Sequence, residues 1–220
     1  TISIAGGMES MTMIPMGGVK FAPNPRLVEE WPDTYLSMGL TAELLAQHDG
    51  NTRQEQDAFA LESHKKAVKA LNTGKWKNEI LPYPVKETGL NGKVVKEFIV
   101  DTDECPRRET TMEDLAKLKP VFQEKGTITA GNSSQMSDGA AVVMLMTTED
   151  AVKNGLKPVA RLLSYEVAGV GPEIMGIGPV EAIPRALASA GLKIGDMDII
   201  ELNEAFASQS ISVIKRLKKD

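Results

Sequence analysis

The apolar run at residues 197–202 and the polar residue after it constrain the fold of this chain more than any other feature. The run has the composition of a buried strand, and Asn203 follows it directly, where a helix over 204–215 is predicted to begin. In open α/β sheets, ligands collect at the carboxyl ends of strands, since helix N-termini and loop side chains face a crevice there. Asn203 can therefore orient a water or a carbonyl oxygen, or it can act only as the N-cap of that helix.

Composition excludes several classes of protein. The chain has 220 residues with 42% hydrophobic content, which is enough to bury a core and excludes a mainly disordered protein. Its formal net charge of -5 argues against a nucleic-acid partner, because proteins that contact phosphates concentrate Lys and Arg on one face. The one dense basic run, at 215–219, is interpreted as the solvated end of a helix.

Cysteine and histidine content bears on compartment and on metals. The single cysteine, Cys105, cannot form an internal disulfide, which is typical of a reducing compartment such as the cytoplasm. Neither His48 nor His64 lies at zinc-ligand spacing from it, so we expect no metal site. No apolar stretch is long enough to span a bilayer. The sequence begins without Met, so a mitochondrial or peroxisomal location stays open.

Local patterns predict alternating strands and helices at both ends of the chain and a loop-rich region between them. A capping pattern, Thr52 followed by Glu55, introduces an amphipathic helix, and His64 within it is interpreted as a satisfied or solvent-facing side chain. We expect strands at 2–5, 80–85, 94–100, 142–146, 159–167 and 197–202, helices from 38, over 54–71, 111–118 and 179–190, and a surface loop at 17–33.

Small residues are dense at 127–134 and again at 138–141. The first segment reads Thr-Ile-Thr-Ala-Gly-Asn-Ser-Ser and the second Asp-Gly-Ala-Ala. Small side chains in such number indicate a close approach of the backbone to another element or to a ligand. The sequence alone leaves both possibilities open.

Four motifs together resemble the thiolase family, and the resemblance covers essentially the whole chain. They are Gly6-Gly7-Met8-Glu9-Ser10-Met11, the segment 129–134 with 138–141, the turn Met175-Gly176-Ile177-Gly178-Pro179, and Asn203-Glu204-Ala205-Phe206-Ala207, and they occur in the family's order and approximate spacing. The resemblance implies an α/β fold of thiolase-like layered α/β/α domains with an inserted loop domain, present here in part. It assigns residues 1–7 and 128–149 to the N-terminal half, 8–127 to the inserted loop domain and 150–220 to the first part of the C-terminal half.

The resemblance also implies roles for individual residues. Asn203 would be catalytic, holding the water that forms one oxyanion hole with a histidine. Ser134 would hydrogen-bond the pantetheine arm of coenzyme A, and Arg107 would lie near its nucleotide phosphates. An apolar channel around the acyl group would be lined by Met38, Phe122, Met175, Ala205 and Phe206, each of which can also be interpreted as a core residue.

Three groups that the resemblance requires are missing from these 220 residues. A thiolase carries a nucleophilic Cys upstream of the Gly6-Gly7 strand, a catalytic His in a Gly-His-Pro motif beyond Asn203, and a second catalytic Cys near its C-terminus. Cys105 instead lies in a charged loop that matches the inserted domain. The resemblance therefore implies an internal fragment that is inactive by itself.

The implied activity of the full-length protein is thiolytic cleavage of 3-ketoacyl-CoA by coenzyme A in fatty acid metabolism, or the reverse condensation of acetyl-CoA. In many acetoacetyl-CoA thiolases a His precedes the residue equivalent to Met38; Ser37 stands here and favours a degradative 3-ketoacyl-CoA thiolase. A biosynthetic acetoacetyl-CoA thiolase and a non-catalytic CoA-binding module are the alternatives. The resemblance implies coenzyme A as substrate, no cofactor, and a homodimer or homotetramer at full length.

Overall fold

The computed structural model describes residues 2–218 and combines helices with two small antiparallel ladders. The strands are β1 (Ile2–Glu9), β2 (Tyr83–Thr88), β3 (Val94–Val100) and β4 (Gly139–Met146). The α-helices are α1 (Pro25–Glu30), α2 (Met38–Asp49), α3 (Arg53–Asn72), α4 (Met112–Ala116), α5 (Thr148–Lys153), α6 (Gly178–Ser189) and α7 (Ala207–Leu217). Short 3-10 helices cover Pro32–Tyr35, Pro172–Ile177 and Ile194–Asp196. No helix within 2–218 combines the length and the apolarity needed to cross a membrane.

Strand pairing joins distant parts of the chain. β1 pairs antiparallel with β4, so that Ile2 lies opposite Met146 and Glu9 opposite Gly139. The Gly6-Gly7 segment thereby runs beside the small-residue stretch that begins at Gly139. β2 and β3 form the predicted hairpin, and Pro84 is tolerated because this ladder has only two strands. The domain boundaries inferred from the resemblance stay a prediction.

The helix starts follow their capping residues. The Thr52 hydroxyl accepts a hydrogen bond from Glu55 N, and the Glu55 carboxylate accepts one from Thr52 N, which confirms the predicted capping box of α3. Ser37 caps α2 in the same way, and Gly50 ends that helix with φ +65°, a conformation that favours glycine. α1 was not predicted: Asn24 caps it and Pro25 occupies its first turn inside the expected surface loop.

Two predicted strands are wrong as elements of a sheet. Residues 159–167 and 197–202 are extended in sequence pattern, yet neither has a ladder partner in the described part of the chain. A strand forms only where a neighbour satisfies its backbone N–H and C=O groups. Leu162 is 67% exposed and Ile199 is 78% exposed. The apolar side chains that predicted two buried strands are therefore exposed in the described part of the chain.

Buried polar side chains hold the small-residue segment 127–134 in place. The Glu43 carboxylate of α2 accepts hydrogen bonds from the backbone N–H of Thr127 (2.8 Å) and of Ile128 (2.9 Å), and Glu43 is 1% exposed. The Asn132 side chain donates to Asp57 Oδ1 at 3.0 Å and accepts from Thr129 N at 2.8 Å. The segment is therefore fixed by side chains of α2 and α3 and not by a strand ladder.

We expect Glu43→Gln to lower the free energy of unfolding by about 1–3 kcal/mol, because the amide NH2 replaces one carboxylate oxygen and places a donor against the Thr127 N–H. Urea denaturation measures this difference. Glu62→Gln is the matched control, since Glu62 is exposed on α3 and should change stability by less than about 0.5 kcal/mol. Equal stability of the two variants would contradict a holding role for Glu43.

Candidate functional site

A cavity of about 460 Å³ brings together five of the eight predicted site residues, the catalytic candidate Asn203 and four predicted to line the acyl channel. It lies between α2, the 3-10 helix Pro172–Ile177, the start of α6 and the turn before α7. The five are Met38, Met175, Asn203, Ala205 and Phe206. Apolar side chains form most of its wall, and Glu201, Asn203 and Gln209 contribute polar groups to it. An apolar pocket with few polar groups is typical of a small-molecule site.

Asn203 lies at this cavity and does not cap a helix. α7 begins at Ala207 with Phe206 at its N-cap, three residues later than predicted, so the interpretation of Asn203 as a helix cap is wrong. The 203–206 segment is held outside the helix because it contacts another part of the chain. The Asn203 side chain is exposed and makes no hydrogen bond to any described residue. Its carboxamide is thus available to donate and accept at once.

The turn that carries Asn203 is bound to the small-residue segment by backbone hydrogen bonds. Ser134 N donates to Ala205 O at 2.9 Å, and Ala207 N donates to Asn132 O at 2.9 Å. Ser133 and Phe206 form an antiparallel bridge between the two bonds. The Ser134 hydroxyl donates to Gln135 O at 3.0 Å and is exposed. The structure therefore places Ser134 beside the Asn203 turn, although it does not line the cavity.

Phe122 also lies outside the cavity wall, and it supports Phe206. The two rings meet edge to face, with centroids 6.2 Å apart and an interplanar angle of 80°. On its other side the Phe122 ring packs directly on Gly39 of α2, where a Cβ atom would overlap it. Phe122 thus links α2 to the end of the turn.

Arg107 lines a second cavity of about 320 Å³ between α3 and the loop that follows β3. Its backbone N–H donates to His64 Nδ1 at 3.2 Å. Burial lowers the pKa of His64 below its ordinary value, the Arg107 charge lowers it further, and Glu204 partly opposes both. The basic side chains at this cavity are His64, Lys65, Lys69, Arg107 and Arg108. Such a wall can bind phosphate groups.

A side-chain hydrogen bond joins α3 to the turn that carries Asn203. The Ser63 hydroxyl donates to Glu204 Oε2 at 2.5 Å, next to Asn203, while the adjacent His64 contacts Arg107. Sequence analysis missed Ser63 and Glu204 as supporting residues, and no local pattern could have found a pair 141 residues apart. His64 was interpreted as satisfied or solvent-facing, and its acceptance of a hydrogen bond from Arg107 N agrees with the first of these alternatives.

No group of three or more His, Cys, Asp or Glu side chains in residues 2–218 is arranged to hold a metal ion. Cys105 is exposed in the loop before Arg107. Neither observation adds a catalytic group to the two cavities.

Residues 1–149 match the thiolase N-terminal domain, and residues 156–220 match the thiolase C-terminal domain. This chain belongs to the thiolase family. A 3-ketoacyl-CoA thiolase of Bacillus subtilis is 52% identical over 99% of the chain and 56% of the relative's length. An acetyl-CoA acetyltransferase of Shinella zoogloeoides is 42% identical over all of the chain and 57% of the relative's length. The chain thus spans about half the length of the curated relatives it matches.

Solved thiolase structures confirm the predicted fold class. The dimeric peroxisomal thiolase of Saccharomyces cerevisiae superposes with a TM-score of 0.84 at 38% identity, over 99% of this chain and 54% of that one. An acetyl-CoA acetyltransferase of Syntrophomonas wolfei gives a TM-score of 0.83 at 35% identity, over 99% of this chain and 56% of that one. The helices and strands of this chain are therefore arranged as they are in the solved thiolases.

We expect Gly39→Ala to lower the free energy of unfolding by about 1–3 kcal/mol, because its Cβ must displace the Phe122 ring and with it the contact to Phe206. Thermal and urea unfolding test this. Gly195→Ala in the 3-10 helix Ile194–Asp196 is the control: nothing lies within 4 Å of its Cβ, so it should be neutral or stabilise by about 0.5 kcal/mol. A Gly39→Ala protein as stable as this control would show that the ring contact is unimportant.

Proposed function

We propose that this chain forms the acyl-CoA-binding part of a thiolase that transfers acyl groups between a cysteine and coenzyme A. The observation that carries the proposal is the single cavity where Asn203 meets Met38, Met175, Ala205 and Phe206. Relatives at 42% and 52% identity are named acetyl-CoA acetyltransferase and 3-ketoacyl-CoA thiolase. The full-length protein would act on 3-ketoacyl-CoA in fatty acid metabolism.

Asn203 would act through a bound water. Its amide group can donate to one partner while it accepts from another, so it can orient a water toward a thioester oxygen that gains negative charge. The exposed position of Asn203 at the edge of an apolar cavity supports this role.

Coenzyme A would extend from the apolar cavity toward Arg107. Ser134, which is exposed beside Ala205, would contact the pantetheine arm. Arg107 has no hydrogen bond or ion pair from its guanidinium to a described residue, so it is available to a nucleotide phosphate. Phe122 would shape the channel indirectly through Phe206.

The residue before Met38 bears on the type of thiolase, because Ser37 stands where many acetoacetyl-CoA thiolases carry a His. Ser37 caps α2 by accepting from Leu40 N at 3.4 Å, so its hydroxyl is engaged at the helix start. The Ser37 side chain therefore has a structural role, and the absence of a His at this position is what favours the degradative 3-ketoacyl-CoA thiolase. The biosynthetic acetoacetyl-CoA thiolase is the second candidate, because several relatives are named acetyl-CoA acetyltransferase. A cytoplasmic homodimer or homotetramer fits the composition and the yeast structure described as dimeric.

Residues 1–220 do not supply the nucleophile. Cys105 is the single cysteine and is exposed on a loop, and no contact with a general base would activate it among the described residues. Residues 1–220 alone would bind coenzyme A without cleaving 3-ketoacyl-CoA. In that form the chain would be the non-catalytic CoA-binding module.

We expect Asn203→Ala, in the complete polypeptide encoded around these residues, to lower kcat for thiolysis of 3-ketoacyl-CoA by about 100- to 1,000-fold, because one oxyanion-stabilising interaction is lost. KM should change little. Asn78→Ala is the control, since Asn78 is exposed and distant in sequence from every predicted site residue. Steady-state kinetics of the three proteins decides the question: an unchanged kcat in Asn203→Ala removes Asn203 from the mechanism.

The isolated 220-residue chain offers a second measurement. It should give no thiolysis above a blank and should bind coenzyme A in a calorimetric titration. Turnover by this chain would contradict the absence of a nucleophile, and absence of binding would contradict the proposed CoA site.

A further inference from the structure

The loop that carries Arg107 is attached to α3 by two hydrogen bonds. Arg107 N donates to His64 Nδ1 at 3.2 Å, and Arg108 Nη1 donates to Asn72 Oδ1 at 2.7 Å. No other hydrogen bond joins residues 101–110 to a different described element. The backbone at Arg107 therefore depends on a single side-chain acceptor.

His64 Nδ1 can accept this hydrogen bond in only one protonation state of the imidazole ring. A neutral imidazole with its proton on Nε2 presents a lone pair on Nδ1, whereas an imidazolium presents N–H donors at both nitrogens. A protonated His64 would place a donor against the Arg107 N–H, and the two groups would repel. The hydrogen bond seen in the structure thus requires neutral His64 in the Nε2–H tautomer.

The surrounding charges favour the neutral state on balance. Positive groups at the same cavity come from α3 and from the loop: Lys65, Lys69, Arg107 and Arg108. Glu204, which comes from the turn before α7, is the negative group that faces His64. Burial and the Arg107 charge outweigh it, so the pKa of His64 lies below its ordinary value.

We infer that neutral His64 is a positioning residue for Arg107: its Nδ1 fixes the loop backbone so that the Arg107 guanidinium faces the phosphate-binding cavity. This inference rests on the proposed CoA site. Fixing the backbone before binding reduces the ordering that the ligand must cause, and it therefore raises affinity without a direct contact between His64 and the ligand.

A competing role for His64 has the opposite pH dependence. If His64 held the loop, its protonation would release Arg107 and weaken CoA binding as the pH falls. If His64 instead contacted a phosphate as an imidazolium, its protonation would add a positive charge and strengthen binding as the pH falls. The two roles are thus separated by the sign of one measured change.

The test is calorimetric titration of the 220-residue chain with coenzyme A at about pH 7.5 and about pH 5. His64→Asn keeps an acceptor, Oδ1, near the position of Nδ1 and cannot be protonated, so it should bind as tightly as wild type at the higher pH. His64→Ala should bind about fivefold more weakly there, as expected from the loss of one neutral hydrogen bond. His48→Asn is the control, because His48 is exposed and lies beside Asp49.

Comparing the variants at the two pH values separates the effect of His64 protonation from the effect of ligand protonation. The 3′-phosphate of coenzyme A itself titrates near pH 6, and this weakens binding equally in every variant. Wild type should lose more affinity between the two pH values than His64→Asn does. Once the ¹⁵N shifts of His64 show that its ring is protonated at the lower pH, equal losses, or a smaller loss in wild type, would overturn the positioning role.

A second readout does not need the ligand. In ¹⁵N-histidine NMR spectra, His64 should show an unprotonated Nδ1 and a protonated Nε2 near neutral pH, and the Arg107 amide should exchange faster in His64→Ala than in His64→Asn. A protonated Nδ1, or equal exchange in the two variants, would overturn the inference. If wild type fails to bind coenzyme A, the proposed function is wrong, and these spectra still decide whether His64 holds Arg107.

Discussion

The rest of the structure depends on the hydrogen bonds that the buried Asp57 carboxylate of α3 accepts. Its Oδ1 accepts from the Asn132 side chain at 3.0 Å and its Oδ2 accepts from Arg53 Nε at 2.7 Å. Arg53 in turn donates to the carbonyl oxygens of Leu115 and Leu118 at the end of α4. One carboxylate thereby ties the small-residue segment and α4 to the same helix. Because these groups are buried, each lost partner leaves another group unsatisfied.

Both cavities follow from this arrangement. Segment 127–134 is fixed by α2 and α3, and its end then binds the Asn203 turn through Ser134 and Ala207. α3 also carries His64, which holds the loop of Arg107. An apolar cavity and a basic cavity thus share one rigid support. The proposed acyl-CoA site uses both, since acyl-CoA has an apolar acyl end and a phosphorylated end.

Features set by neighbouring residues could be predicted from the sequence. The capping box at Thr52 and Glu55 and the hairpin of β2 and β3 depend on local patterns, and both are confirmed. The thiolase motifs identified the family, because four of them occur in order. Five of the eight predicted site residues line a single cavity, whereas Ser134, Arg107 and Phe122 lie beside it or at the second cavity.

Features set by distant residues could not be predicted. An apolar run indicates a strand only when a partner is available, and 159–167 and 197–202 have none in the described part of the chain. The start of α7 moved from 204 to 207 because Ser134 and Asn132 bind the preceding turn. The Ser63–Glu204 and His64–Arg107 contacts join residues far apart in sequence, and no periodicity marks them.

The central claim is that the cavity beside Asn203 receives the acyl end of an acyl-CoA. Methionine methyl NMR of the ¹³C-labelled chain tests it directly, because Met38 and Met175 line that cavity while Met13 and Met136 are 80% and 70% exposed elsewhere. On titration with a medium-chain acyl-CoA, the Met38 and Met175 methyl signals should shift together and saturate, and those of Met13 and Met136 should stay in place. Saturable binding that leaves Met38 and Met175 unshifted would contradict the account.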